Sequence, residues 1–149
     1  MSTPALATPK RTMQSFGSLI HIHATADDSA GGFSMIEMVL PPKFPGAPTH
    51  YHKRMTETFY VLQGALDATI DNGNRMIYPG ECAVIKPGMR HSFQNSSSQT
   101  LRFLLIATPG GHDRFFSELI EWMDREPQWP PRDKKALIEF GLRHDTYYL

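Results

Sequence analysis

The chain has 149 residues, 40% of them hydrophobic, which suits one domain able to bury its own core without staples. Its 15 basic and 15 acidic side chains cancel and form no run of like charge, which excludes a nucleic-acid partner that would demand a net basic face. No apolar stretch could span a bilayer, no basic amphipathic segment suits a membrane surface, and the single cysteine has no partner for a disulfide, so a cytoplasmic protein is expected.

In chain order, residues 1–14 read as a flexible N-terminus and 15–149 as a single domain. Strands are expected over 17–23 and 33–40. The proline-rich stretch 41–48 lacks ladder donors and reads as a loop that delivers the chain to His50. Strands over 58–62 and 65–70 follow, parted by Gln63 and Gly64; the Asp71-Asn72-Gly73-Asn74 run reads as a hairpin turn, because Asn-Gly suits positive φ angles. Segments 75–77, 81–85, 91–94 and 101–108 complete the strands, and so many short strands predict an all-β sandwich or closed barrel. Beyond Pro109 the period changes. Phe115, Leu119 and Trp122, like Phe116, Ile120 and Met123, recur at helical spacing, predicting a helix packed on the barrel wall. Pro130 and Pro131 end it, and 133–140 reads as a second short helix with Gly141 as its C-cap, so that 112–141 forms a helical C-terminal segment.

Chemistry concentrates in two stretches. In HYHKRMTETFYVLQG, His50 and His52 sit at the i, i+2 offset that points two strand side chains to one face, so both imidazoles can reach one ion. Glu57 lies at an odd offset from His52, and it can join them only if the chain bends between Lys53 and Thr56. In GECAVIKPGMRHSFQN, the Pro87-Gly88 turn aims a new strand on which His91, Phe93 and Asn95 share a face. Elsewhere, His21 and His23 repeat the His-x-His spacing, with Asp28 beyond, but lack the following glycine and the second stretch; they read as outward-facing strand residues. His112 and His144 are expected in solvent, Cys82 as a small buried apolar residue, and Trp122 and Trp129 as packing residues.

The first stretch resembles the first cupin motif, G-x5-H-x-H-x3,4-E-x6-G, and the second resembles its partner, G-x5-P-x-G-x2-H-x3-N. The resemblance covers about 33–107; Gly46 stands two places late and Pro87 one place late. It implies a jelly-roll-like cupin β-barrel followed by two short C-terminal helices, and it places the family's metal ligands on His50, His52, Glu57 and His91. The closing helices resemble those of small bacterial single-cupin proteins described as quercetin-dioxygenase-like. The implied cofactor is one divalent transition metal, Fe, Mn, Ni, Co, Cu or Zn, a choice that three imidazoles and a carboxylate leave open.

Four protein ligands on an octahedral ion leave about two positions open, which suits dioxygenase chemistry or, with the ion as a Lewis acid, isomerase or decarboxylase chemistry. A non-catalytic ligand-binding or sensor protein is the other class. Alternation sends Phe59, Val61 and Phe93 inward, and with Met35 and Arg102 they form the expected substrate pocket, suited to a small apolar or aromatic, flavonol-like molecule. Glu57 is the expected catalytic base. The strand over 17–23 is apolar enough to add to a neighbour's sheet, and the family resemblance also implies dimers, so a homodimer is expected.

Overall fold

Alternation builds the fold strand by strand, and a computed structural model describes it over residues 9–149. The strands in chain order are β1 (Arg11–Ser15), β2 (Ser18–Ala24), β3 (Ser34–Leu40), β4 (Ala47–Tyr51), β5 (Thr56–Gln63), β6 (Leu66–Ile70), β7 (Gly73–Ile77), β8 (Cys82–Ile85), β9 (His91–Gln94), β10 (Leu101–Thr108) and β11 (Tyr147–Tyr148). Helices α1 (His112–Met123) and α2 (Lys134–Leu142) lie between β10 and β11. Strand β3 shows the pattern: Ser34, Ile36, Met38 and Leu40 are buried, while the residues between them are half-buried. Such one-sided strands must close a core on one face.

Two antiparallel sheets do so. One runs β1-β2-β3-β10-β5-β8 and the other β11-β4-β9-β6-β7. Between them sits an apolar core with Ile36, Leu40, Phe59, Val61, Leu66, Phe103 and Leu105 at its centre. The architecture is the all-β one with two helices that the sequence predicts. Helix α1 buries Phe115, Phe116, Leu119, Ile120 and Met123 and packs against β1, β2 and β3. Trp122 and Trp129 pack on the same core. Among the described residues, no helix is long and apolar enough to cross a membrane.

Several expectations are corrected. Part of the expected flexible N-terminus, from Arg11, is strand β1, and residues 1–8 lie outside the described range. Strand β2 has no free edge to offer a neighbour, because β1 and β3 flank it. Strand β4 starts at Ala47 and contains Pro48, which is tolerated because the β4–β9 register breaks between Ala47 and His50. The hairpin turn sits one residue early, on Asp71 (φ 51°) and Asn72, with Gly73 already paired to Ile70. Cys82 is exposed, because β8 is an edge strand whose apolar sequence carries no alternation to show which face turns inward. Gly141 lies inside α2, where a Cβ would come within 2.4 Å of the Thr146 carbonyl oxygen and 2.8 Å of the Tyr148 ring. It admits the C-terminal tail; it does not cap the helix.

Gly46 is the tightest point. A Cβ there would lie 1.7 Å from the Phe93 carbonyl oxygen, and its φ of 70° disfavours other residues. Gly46→Ala should therefore lower unfolding free energy by about 3 kcal/mol or more, measured by denaturant titration. An unchanged midpoint would show that the approach to β4 yields freely.

Candidate metal centre

Two sheets supply the site. His50 on β4 and His91 on β9 are direct cross-strand partners, while Glu57 stands on β5 in the opposing sheet. His52 follows β4 at the start of a bend, so the turn demanded by the odd spacing to Glu57 is present between Tyr51 and Thr56. All four side chains are buried, and one donor atom from each lies within 4.8 Å of the others.

The imidazoles are oriented by backbone carbonyls. His50 Nδ1 lies 2.7 Å from the Pro48 oxygen, His91 Nδ1 3.0 Å from the Met89 oxygen, and His52 Nδ1 2.8 Å from the Asp145 oxygen. Each Nδ1 faces a carbonyl and donates to it, and in the neutral ring this leaves on Nε2 the lone pair that a metal requires. Glu57 Oε2 lies 2.8 Å from His91 Nε2 and 3.2 Å from His52 Nε2. His52 Nε2 is nonetheless buried without a hydrogen-bond partner. An orphaned nitrogen facing a carboxylate and two further imidazoles fits a transition-metal ion, with His50, His52, Glu57 and His91 to hold it.

Electrostatics prepare the ligands. Burial lowers the His50 pKa to about 3, with His91 nearby adding to the effect, so His50 is neutral near pH 7. Burial would raise Glu57, but contacts from His112, His52 and His91 outweigh it and hold the carboxyl well below its ordinary value. Burial would lower His52, yet Glu57 and the Asp145 carbonyl outweigh it and leave it raised.

Three contributors were not legible in the sequence. His112, expected in solvent, is buried as the first residue of α1, with Nε2 3.1 Å from Glu57 Oε1. Asp145 (φ 53°) lies in the tail; its carboxylate accepts the backbone N–H groups of Lys53, Arg54 and Met55 at 3.0 Å each. Those three residues are the bend between His52 and Glu57, so one tail residue sets the bend with its carboxylate and orients the His52 ring with its backbone carbonyl. Tyr148 on β11 packs its ring 5.5 Å from that of His50, and burial together with the Glu57 charge raises its pKa. Only Gly110-Gly111 hinted at His112: Gly111 has a φ of 131°, which lets the chain turn sharply into α1.

A cavity of about 50 Å³ opens beside the cluster. Its wall includes His50, Glu57, Phe93, His112 and Tyr148, with Met38, Phe115, Phe116 and Trp129 among the apolar members. Of the expected pocket residues, Phe93 lines it. Phe59 and Val61 point inward as expected but are sealed in the core, where Phe59 packs against Phe93 and Phe103. Met35 and Arg102 are on the outer face of the sheet, displaced by the alternation that buries Ile36, Met38 and Phe103, and Arg102 pairs with Glu37 there. His21 and His23 share that outer face; His23 lies 3.1 Å from Glu37, and Asp28 is paired with Lys10. His144 is partly buried, 2.7 Å from Glu118.

Residues 36–107 match the cupin domain family. Quercetin 2,3-dioxygenase of Bacillus subtilis (strain 168) is 27% identical over 103 residues, which take in 69% of this chain and 30% of that protein. The chain thus matches under a third of the length of this curated relative. Among solved structures, the polyketide cyclase RemF from Streptomyces resistomycificus superposes with a TM-score of 0.60 at 23% identity, over 72% of this chain and 80% of the other. KdgF from Halomonas sp. superposes with a TM-score of 0.59 at 19% identity, over 70% of this chain and 92% of the other. At such identities the two structures speak for the fold alone.

The purified protein should bind about one transition-metal ion per chain and lose it in His91→Ala. Asp145→Ala, which removes the carboxylate that holds the bend, should weaken metal binding about 10-fold in chelator competition. Full metal in a folded His91→Ala protein would remove His91 from the ligand set.

Proposed function

We propose that this chain, whose residues 36–107 match the cupin domain family, is a metal-dependent dioxygenase for a small aromatic substrate bearing an acidic hydroxyl. The cavity wall carries the reading. Beside the metal cluster it is overwhelmingly apolar, and among the described residues it contains no lysine or arginine. A sugar phosphate would find no cation there except the ion itself, whereas an aromatic ring would find Phe93, Phe115, Phe116 and Trp129. The name of the curated relative, a quercetin dioxygenase, points the same way.

A bound redox-capable metal would supply the open coordination positions at which oxygen chemistry takes place. The protein's own part is positioning and proton handling. The apolar wall excludes water and orients the ring. Glu57 is the proposed base through the remaining lone pair of Oε1, the oxygen turned away from the Nε2 atoms of His52 and His91 and held by His112. Its depressed pKa makes it a weak base for an ordinary phenol, so the substrate hydroxyl must be acidified before it gives up its proton.

The test is oxygen uptake by metal-loaded protein across a panel of monocyclic and bicyclic phenols. Uptake should depend on both metal and substrate, and Glu57→Gln should lower turnover per bound metal about 100-fold. Binding of a phenol with no uptake would replace this reading with ligand binding or with Lewis-acid isomerisation or decarboxylation.

Self-association belongs to the same proposal. Among the described residues strand β1 is an edge of the larger sheet, and exposed edges are commonly covered by a second copy. Light scattering at micromolar concentration should give the mass of a homodimer; a monomer mass would refute it.

A further inference from the structure

The geometry points to His112 as a positioning residue that limits Glu57 to one oxygen on the metal. The two carboxylate oxygens of Glu57 face different partners. Oε2 is directed at the Nε2 atoms of His91 and His52, 2.8 and 3.2 Å away, which are the metal-facing atoms of those rings. Oε1 lies 3.1 Å from His112 Nε2. A free carboxylate can grip an ion with one oxygen or with both; an N–H donor on Oε1 holds that oxygen and leaves Oε2 for the ion. His112 is itself outside the set of donor atoms that lie within 4.8 Å of one another, so it acts through Glu57 and not as a fifth ligand.

Packing alone would not call for a histidine here. The ring stacks on Phe115 at 4.7 Å and meets Phe116 edge-on at 4.9 Å, contacts that a phenylalanine would make as well. The imidazole is buried, and its Nδ1 has no hydrogen-bond partner, which makes the polar ring costly in this place. The Glu57 contact is what compensates. The ring is also held still: Gly111 turns the chain into α1, and the Asp113 carboxylate accepts the Ala26 N–H at 3.2 Å, tying the first turn of the helix to the barrel. Rigid support of this kind is what a ligand-orienting residue needs.

This inference rests on the metal reading of the site, and the experiment separates the two. Cobalt(II) is titrated into wild type, His112→Phe and His112→Gln, with affinity taken from chelator competition, ligand geometry from the visible absorption bands, and stability from melting of the metal-free proteins. His112→Phe should bind cobalt about 10- to 100-fold more weakly, because the carboxylate loses the donor that orients it, and with altered bands, because Glu57 is then free to bind through both oxygens. His112→Gln, which keeps an N–H donor, should recover most of the affinity and the wild-type bands. Wild-type affinity and bands in His112→Phe would overturn the assignment while leaving the metal site standing. Failure of wild type to bind cobalt, zinc or any other divalent transition ion would overturn both. If His112→Phe does not fold, His112→Met takes its place as the variant without a donor, and unchanged affinity and bands there are equally fatal.

Discussion

A carboxylate buried between two sheets is the constraint around which this protein is arranged. Glu57 is 2% exposed, and a charge so placed is costly unless its oxygens are engaged. Three imidazoles surround it, from β9, from the bend after β4 and from the start of α1. The pairing of β4 with β9 brings His50 against His91, and the facing of the two sheets brings Glu57 onto that pair. Without the ring of imidazoles, the core at this point would hold an uncompensated charge.

The C-terminal segment finishes what the barrel begins. Helix α1 delivers His112 and most of one cavity wall; α2 then returns the chain so that Asp145, Thr146 and β11 close over the first ligand stretch. Gly141 makes the return possible, since any side chain there would collide with Thr146 and Tyr148. The C-terminal segment is therefore part of the candidate metal centre and not an appendage to the barrel. Comparison by barrel alone overlooks this, and the relatives that share the barrel carry names as different as dioxygenase and cyclase. A fold of this kind hosts many reactions, so function has to be argued from the site and not from the barrel.

The substrate reading shows the same division. Alternation gave Phe59, Val61 and Phe93 one direction, inward, but only Phe93 reaches the cavity, because depth along a strand decides whether an inward side chain meets the core or the site. Arg102, a cation expected at the pocket, faces Glu37 on the outer surface. With Arg102 outside, the wall among the described residues carries no lysine or arginine.

The sequence by itself determined the strand periods, the two-helix ending, the need for a bend between His52 and Glu57, and, through motif resemblance, the quartet His50, His52, Glu57 and His91. The strand periods, the helices and the bend are local, following from side-chain alternation and spacing within a few residues, whereas the quartet rests on the motif resemblance. What only the tertiary structure decided are the parts that hold the quartet. His52 is oriented by Asp145, 93 residues away, and the bend is held by the same residue. His112 reaches Glu57 across the interval of β6 to β10, and nothing in its neighbours distinguishes a buried first turn from an exposed one. The edge strand β8 hides its inward face behind an apolar run, and Cys82 was misplaced for that reason. Local periodicity specifies the direction of a side chain, whereas a partner distant in sequence depends on how the sheets and the tail close in space, and no short window of residues contains that information.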